Sequence, residues 1–195
     1  MNKAKQFGET VAGYNMTINA ENKLSLKFML LFIPVAYASY LFHEFGHWII
    51  GEVLGNNMVY SLNNVTPQSG YFIDASHKLY SSIGGPAFTI LLSLFFLLII
   101  EKYKTIYAYP FVFFQMFCRF FSLVFGGFGQ QDEAGISAIL GLGKYTVAII
   151  VLLILFLIVL RASYLLRINL KKNSYIFTMS TLCDLLVIGT SRMIS

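Results

Sequence analysis

Residues 83–100 run without one charged side chain, and four other stretches of this 195-residue chain are nearly as apolar. An α-helix rises about 1.5 Å per residue, so roughly 18 to 20 such residues cross the ~30 Å hydrocarbon layer of a bilayer. The stretches are residues 28–50, 79–100, 105–125, 145–160 and 175–194, with Arg119 inside the third and Asp184 inside the last. That charge leaves the fifth segment free either to cross or to lie in the interface. Hydrophobic residues make up 57% of the chain and charged ones 12%, against roughly 45 to 50% and 25% in a soluble domain. One soluble core of this size cannot bury such a surplus. Backbone in lipid must satisfy its own hydrogen bonds, so the expected fold is all-α, a polytopic membrane helix bundle of four or five spans.

The net charge of +5 does not point to nucleic acid, because the basic residues sit between apolar runs instead of interleaving with aromatics. Counted near span ends, ten of them (Lys3, Lys5, Lys23, Lys27, Lys102, Lys104, Arg161, Arg167, Lys171, Lys172) fall on one side. Only Lys78, Lys144 and Arg192 fall on the other. Positive charge marks the cytoplasmic side, so the N-terminus is expected there, with the C-terminal half of the first span toward the outer leaflet of the plasma membrane. The first span is expected to stay uncleaved and to kink at Pro34, since a signal-peptide cut near Ala38 would follow an n-region of about 27 residues. Cys118 and Cys183 show no ligand spacing and read as small buried hydrophobes. Residues 57–66 read as a short hairpin with its turn at Asn63-Asn64, because Asn tolerates positive φ.

The chemistry concentrates in His43-Glu44-Phe45-Gly46-His47. On a helix, side chains at i and i+4 share a face with Cβ atoms about 5 to 6 Å apart, so both imidazoles can close on one Zn²⁺. Glu44 stands beside such an ion without being a ligand, where it can act as general base toward water. With three His in 195 positions, this pattern arises by chance on the order of once in a thousand such chains. Ionisable groups at membrane depth are costly, and three within five residues call for a metal or a wet cavity.

Zinc needs at least one further protein ligand. Glu52, nine residues after His43, points about 180° away and reads as a solvated helix-end charge. Asp74 and His77 suit the interface before the second span. The remaining candidates are Asp132 and Glu133, with Asp132 preferred. They open a helical pattern after Gly126, Gly127 and Gly129, and the glycines suggest a broken helix near residues 126–135. Gly84-Gly85-Pro86 would let the second span pack closely on the motif helix. Arg119 and Asp184 read as members of an internal ion pair.

These residues together resemble the site-2 protease family of intramembrane zinc metalloproteases. The likeness rests on HEFGH in the first span, on Gly84-Gly85-Pro86-Ala87-Phe88-Thr89 opening the second, and on a carboxylate about 85 residues beyond His47. It covers roughly residues 28–145. The chain has Thr89 where the family usually has Asn, and Asp132-Glu133 where it usually has Asp-Gly after a proline. The resemblance implies that His43, His47 and Asp132 bind zinc and that Glu44 is the catalytic base. It also implies that the hairpin helps hold an unwound substrate. Residues 1–27 then form a cytoplasmic segment, 28–160 an intramembrane metalloprotease core, and 161–195 a basic connection with a C-terminal membrane helix. The expected substrate is a membrane protein or hydrophobic peptide within the lipid bilayer, selected by the spans, the hairpin or an accessory membrane partner. The alternative is a non-enzymatic metal-binding membrane protein acting in transport, regulation or substrate sequestration.

Overall fold

The computed structural model describes residues 24–125 and 131–194. Ser25 Oγ accepts the Phe28 amide at 3.2 Å and opens α1 (Leu26–Leu30), which yields at Leu31 to α2 (Phe32–Val53). Pro34 accounts for the seam: its ring crowds the Leu30 carbonyl and lacks an N–H, which is harmless only in the first turn of a new helix. After α2 come β1 (Met58–Ser61), β2 (Asn64–Pro67) and α3 (Ala75–Tyr103), the last capped by Asp74. A 3₁₀ turn leads into α4 (Tyr109–Phe125), followed by α5 (Asp132–Ile139), α6 (Thr146–Leu166) and α7 (Leu170–Ile194).

Taking α1 and α2 as one, five helices among the described residues are long and apolar enough to cross a membrane. The expected spans are all helical, but the fourth runs on to Leu166 and the fifth begins at Leu170, so Arg161, Lys171 and Lys172 lie on helices. The interruption at the expected break is partly in view: α4 stops at Phe125 and α5 starts at Asp132, while residues 126–130 lie outside the described residues. One buried core joins Phe28, Phe32, Phe114, Leu155 and Val187. Leu91, Phe95 and Leu98 on α3 and Leu153, Phe156 and Leu157 on α6 are exposed, as lipid-facing side chains must be.

Three local expectations are corrected. Ser61 pairs with Asn64, so the hairpin turns at Leu62-Asn63, and neither takes positive φ; Asn57 does, at φ 48°. The register is set at the base of the hairpin. Met58 is buried there, its amide donates to Glu52 Oε1 at 2.6 Å, and Asn57 Nδ2 donates to Gln68 Oε1 at 2.7 Å. Glu52 is therefore a half-buried acceptor for the strand and not a free helix-end charge. Asp184 and Arg119 also do not pair with each other: Asp184 Oδ1 accepts from Tyr40 Oη at 2.9 Å and from Cys118 Sγ at 3.5 Å, which ties α7 to α2 and α4.

Gly46 and Gly84 let α2 and α3 touch backbone to backbone. A Cβ on Gly46 would stand 2.8 Å from the Gly84 carbonyl carbon. Small residues permit this approach, and it fixes which turn of α3 lies beside the HEFGH turn.

Candidate metal centre

His43 and His47, on one face of α2, meet Asp132 at the start of α5. His43 Nε2 is 3.1 Å from Asp132 Oδ2, His47 Nε2 is 3.3 Å from the same oxygen, and the two Nε2 atoms are 3.2 Å apart. Tetrahedral ligands on bonds of 2.0 to 2.1 Å lie about 3.3 Å from one another, so this triangle has the size of one face of a zinc sphere. Both histidines are buried, and Asp132 is half-buried.

The partners of the other ring nitrogens decide what the triangle can bind. His47 Nδ1 lies 2.7 Å from the Ser81 carbonyl oxygen, which only accepts, so Nδ1 carries the hydrogen and the neutral ring presents a bare Nε2. His43 Nδ1 lies 2.9 Å from Thr89 Oγ1, and donation there leaves its Nε2 bare as well. Two lone pairs and a carboxylate then converge, an arrangement that repels itself unless a cation or shared proton stands between them. The donor set therefore fits a divalent metal, and nitrogen with carboxylate oxygen is a set that suits zinc.

The α3 face opposite is built for closeness. Ser81, Gly85, Thr89 and Ser93 recur every four residues, all buried. A Cβ on Gly85 would run into His47 Nε2 and stand 2.6 Å from His43 Cε1. Pro86 leaves the carbonyl four residues back without its helical donor and loosens this turn. Ser81, one residue before, serves the motif helix twice: its carbonyl takes His47 Nδ1, and its Oγ donates to the His47 carbonyl at 3.1 Å.

The two adjacent acids separate cleanly. Asp132 faces the imidazoles, whereas Glu133 is buried against Arg119, with Nη1 to Oε1 at 3.4 Å. Arg119 Nη1 also lies 3.9 Å from Asp132 Oδ2, so one guanidinium holds both acids of the helix start. Glu44 is 6% exposed, lines the same cavity as the triad and makes no hydrogen bond with any described residue. Its carboxylate opens onto that cavity and not into the packed interior. Asp74 caps α3 through the Ser76 amide at 2.8 Å, and His77 Nδ1 meets Asn56 Nδ2 at 3.2 Å; neither joins the triad.

Sequence reasoning missed the contact of Thr89 with His43, the role of Ser81, and Glu133 as the partner of Arg119. The four-residue recurrence of small polar side chains from Ser81 to Ser93 was the available signal for the first two. Comparisons of the chain with protein-family models, curated proteins and solved structures find no significant match.

Proposed function

We propose that this chain is an intramembrane zinc endopeptidase, similar in its chemistry to the site-2 proteases. The observation that carries the proposal is the triangle of His43, His47 and Asp132 with an unpartnered, buried Glu44 at its side. Zinc, when bound, supplies Lewis-acid polarisation of the scissile carbonyl and makes the attacking water more acidic. Glu44 takes the proton of that water and returns it to the leaving amine, a role worth roughly 10²- to 10⁴-fold in rate. Thr89 and Ser81 hold the imidazole planes, so the ligands need no reorganisation on binding.

A helical substrate hides its carbonyls in its own hydrogen bonds and must unwind before attack. Asn64, Val65 and Thr66 of β2 line the cavity, where the strand can lend backbone partners to an extended chain. In the same reading the N-terminus is cytoplasmic, the centre lies toward the outer leaflet of the plasma membrane, and an accessory membrane protein can assist selection.

The test uses purified protein in nanodiscs, with zinc content and peptide cleavage read on the same samples. Glu44→Gln is expected to keep zinc and fold and to lose cleavage by at least about 100-fold. Unimpaired cleavage would remove Glu44 from the mechanism. His47→Ala is expected to lose the metal, and stoichiometric zinc in that variant would refute the ligand assignment.

A further inference from the structure

Helices α3, α4, α6 and α7 are pinned together by polar contacts at one end. Arg161 Nε donates to Glu101 Oε1 at 3.1 Å, and its Nη2 lies 3.0 Å from the same oxygen, which joins the end of α6 to the end of α3. Tyr109 Oη, at the start of α4, donates to Asn173 Oδ1 at 2.7 Å and lies 2.7 Å from Ser163 Oγ, which joins α4 to α7 and α6. That end therefore carries Lys102, Lys104, Arg161, Arg167, Lys171 and Lys172. Glu101 is the one acid that these helices place there among the described residues, since Asp184 lies in mid-helix on α7 beside Tyr40 and Cys118.

Two of these cations stand where the backbone favours glycine. Lys104 closes α3 and Arg167 closes α6, each in the left-handed conformation at φ 53°. A residue with a Cβ is strained there, and Gly or Asn is the usual choice at such a helix end. The attraction of a cation to the helix C-terminus does not account for the choice, because any position in the last turn supplies it and Lys102 already does so in α3. Arg167 also borders an open depression of about 540 Å³ at the α6–α7 turn, with Ser163, Tyr164 and Asn169 in its wall. Tyr103, Tyr164 and Leu170 are exposed among the cations in the sequence, so apolar surface and charge alternate at this end. A free anion would use the charge alone. A phospholipid uses both, its phosphodiester on the cations and its glycerol and upper chains on the apolar groups.

We infer that this end of the bundle binds the headgroup of an anionic phospholipid, seated at the α6–α7 turn, where Arg167, Lys171 and Lys172 fall within six residues of chain. Lys104 adds positive charge from the end of α3. The inference stands apart from the peptidase reading and needs no metal. In the orientation proposed above, this end meets the cytoplasmic leaflet, whose anionic lipids complement its charge.

The experiment immobilises the full chain in neutral detergent, where charge that served only to orient the protein in a membrane has no further part. The protein is equilibrated with micelles holding equal amounts of phosphatidylglycerol and phosphatidylcholine, and the retained lipid is quantified by mass spectrometry. Wild type is expected to retain phosphatidylglycerol over phosphatidylcholine by about tenfold at low salt, and high salt should shrink the preference. Arg167→Gly removes a cation and suits the left-handed backbone. It should therefore melt no lower than wild type while the preference falls to about threefold. Adding Lys171→Gln and Lys172→Gln should bring the preference close to parity. Lys78→Gln, at the opposite end of α3, removes the same charge and should leave the preference intact. Equal retention of the two lipids by wild type, an unchanged preference in the triple variant, or an equal loss in Lys78→Gln would overturn the inference. Displacement of phosphatidylglycerol by excess inorganic phosphate would also overturn it, because the ligand would then be a free anion and not a lipid.

Discussion

Gly85→Ala is expected to disturb the candidate metal centre while leaving His43, His47 and Asp132 in the sequence. The added Cβ would run into His47 Nε2 and stand 2.6 Å from His43 Cε1, so both rings must swing aside. Metal–ligand distances tolerate only about 0.2 Å, whereas an imidazole free of metal can rotate away for the loss of its hydrogen bond to Ser81 or Thr89, about 0.5–1.5 kcal/mol each. The helix itself favours Ala over Gly by up to about 1 kcal/mol. The helix gain and the lost hydrogen bonds roughly offset, so the metal-free protein should melt near the wild-type temperature, while zinc affinity falls by about 100-fold, or roughly 2.7 kcal/mol. Gly84→Ala, one position earlier, should behave in the opposite way. Its Cβ would run into the Gly46 carbonyl oxygen, 2.7 Å from the carbonyl carbon, and backbone cannot rotate aside. Forcing α2 and α3 apart should cost the metal-free protein about 1–3 kcal/mol. Chelator competition for zinc and thermal unfolding of the metal-free protein in detergent read the two effects. If Gly85→Ala bound zinc as the wild type does, the imidazoles would not lie against that turn of α3. If it destabilised the metal-free protein as Gly84→Ala does, the glycine would serve packing alone.

Thr89→Val removes the partner of His43 Nδ1 at nearly constant volume and should weaken zinc binding by about 10- to 100-fold in the same competition assay. Asp132→Asn should reduce zinc affinity more than Glu133→Gln does, because Glu133 contacts Arg119 and not the imidazoles; the reverse order would transfer the ligand role to Glu133. Asp184→Leu leaves Tyr40 Oη and Cys118 Sγ without an acceptor and should lower stability by about 1–3 kcal/mol, with zinc stoichiometry intact. Loss of zinc in that variant would connect α7 to the metal site.

The spans were legible because lipid demands long uncharged helices, and His43 and His47 were legible because four residues make one helical turn. The limits of the last two spans were not. Arg161, Lys171 and Lys172 suggested a loop, yet long basic side chains can lie along helix ends with their charges directed to water. The hairpin was legible as a hairpin, but its register was not: two asparagines suggested the turn, and Glu52, Asn57 and Met58 at the other end set the pairing. Asp184 looked like a defect in the fifth span until Tyr40 and Cys118, both more than 60 residues away in sequence, supplied its partners.

Residue order alone determined that the chain forms membrane-length helices and that one helical turn brings two histidines to one face with a glutamate between them, since both depend on neighbours within a few positions. Tertiary packing decided which acid lies beside the two histidines. Asp132 and Glu133 are adjacent, share a helix start and have the same ionising group, so nothing local separates them. The separation comes from α4, where Arg119 takes Glu133, and from the contact of Gly46 with Gly84, which sets the turn of α3 that holds both imidazoles. About 100° of rotation per residue leaves only one of the two acids pointing at the histidines once those helices are docked.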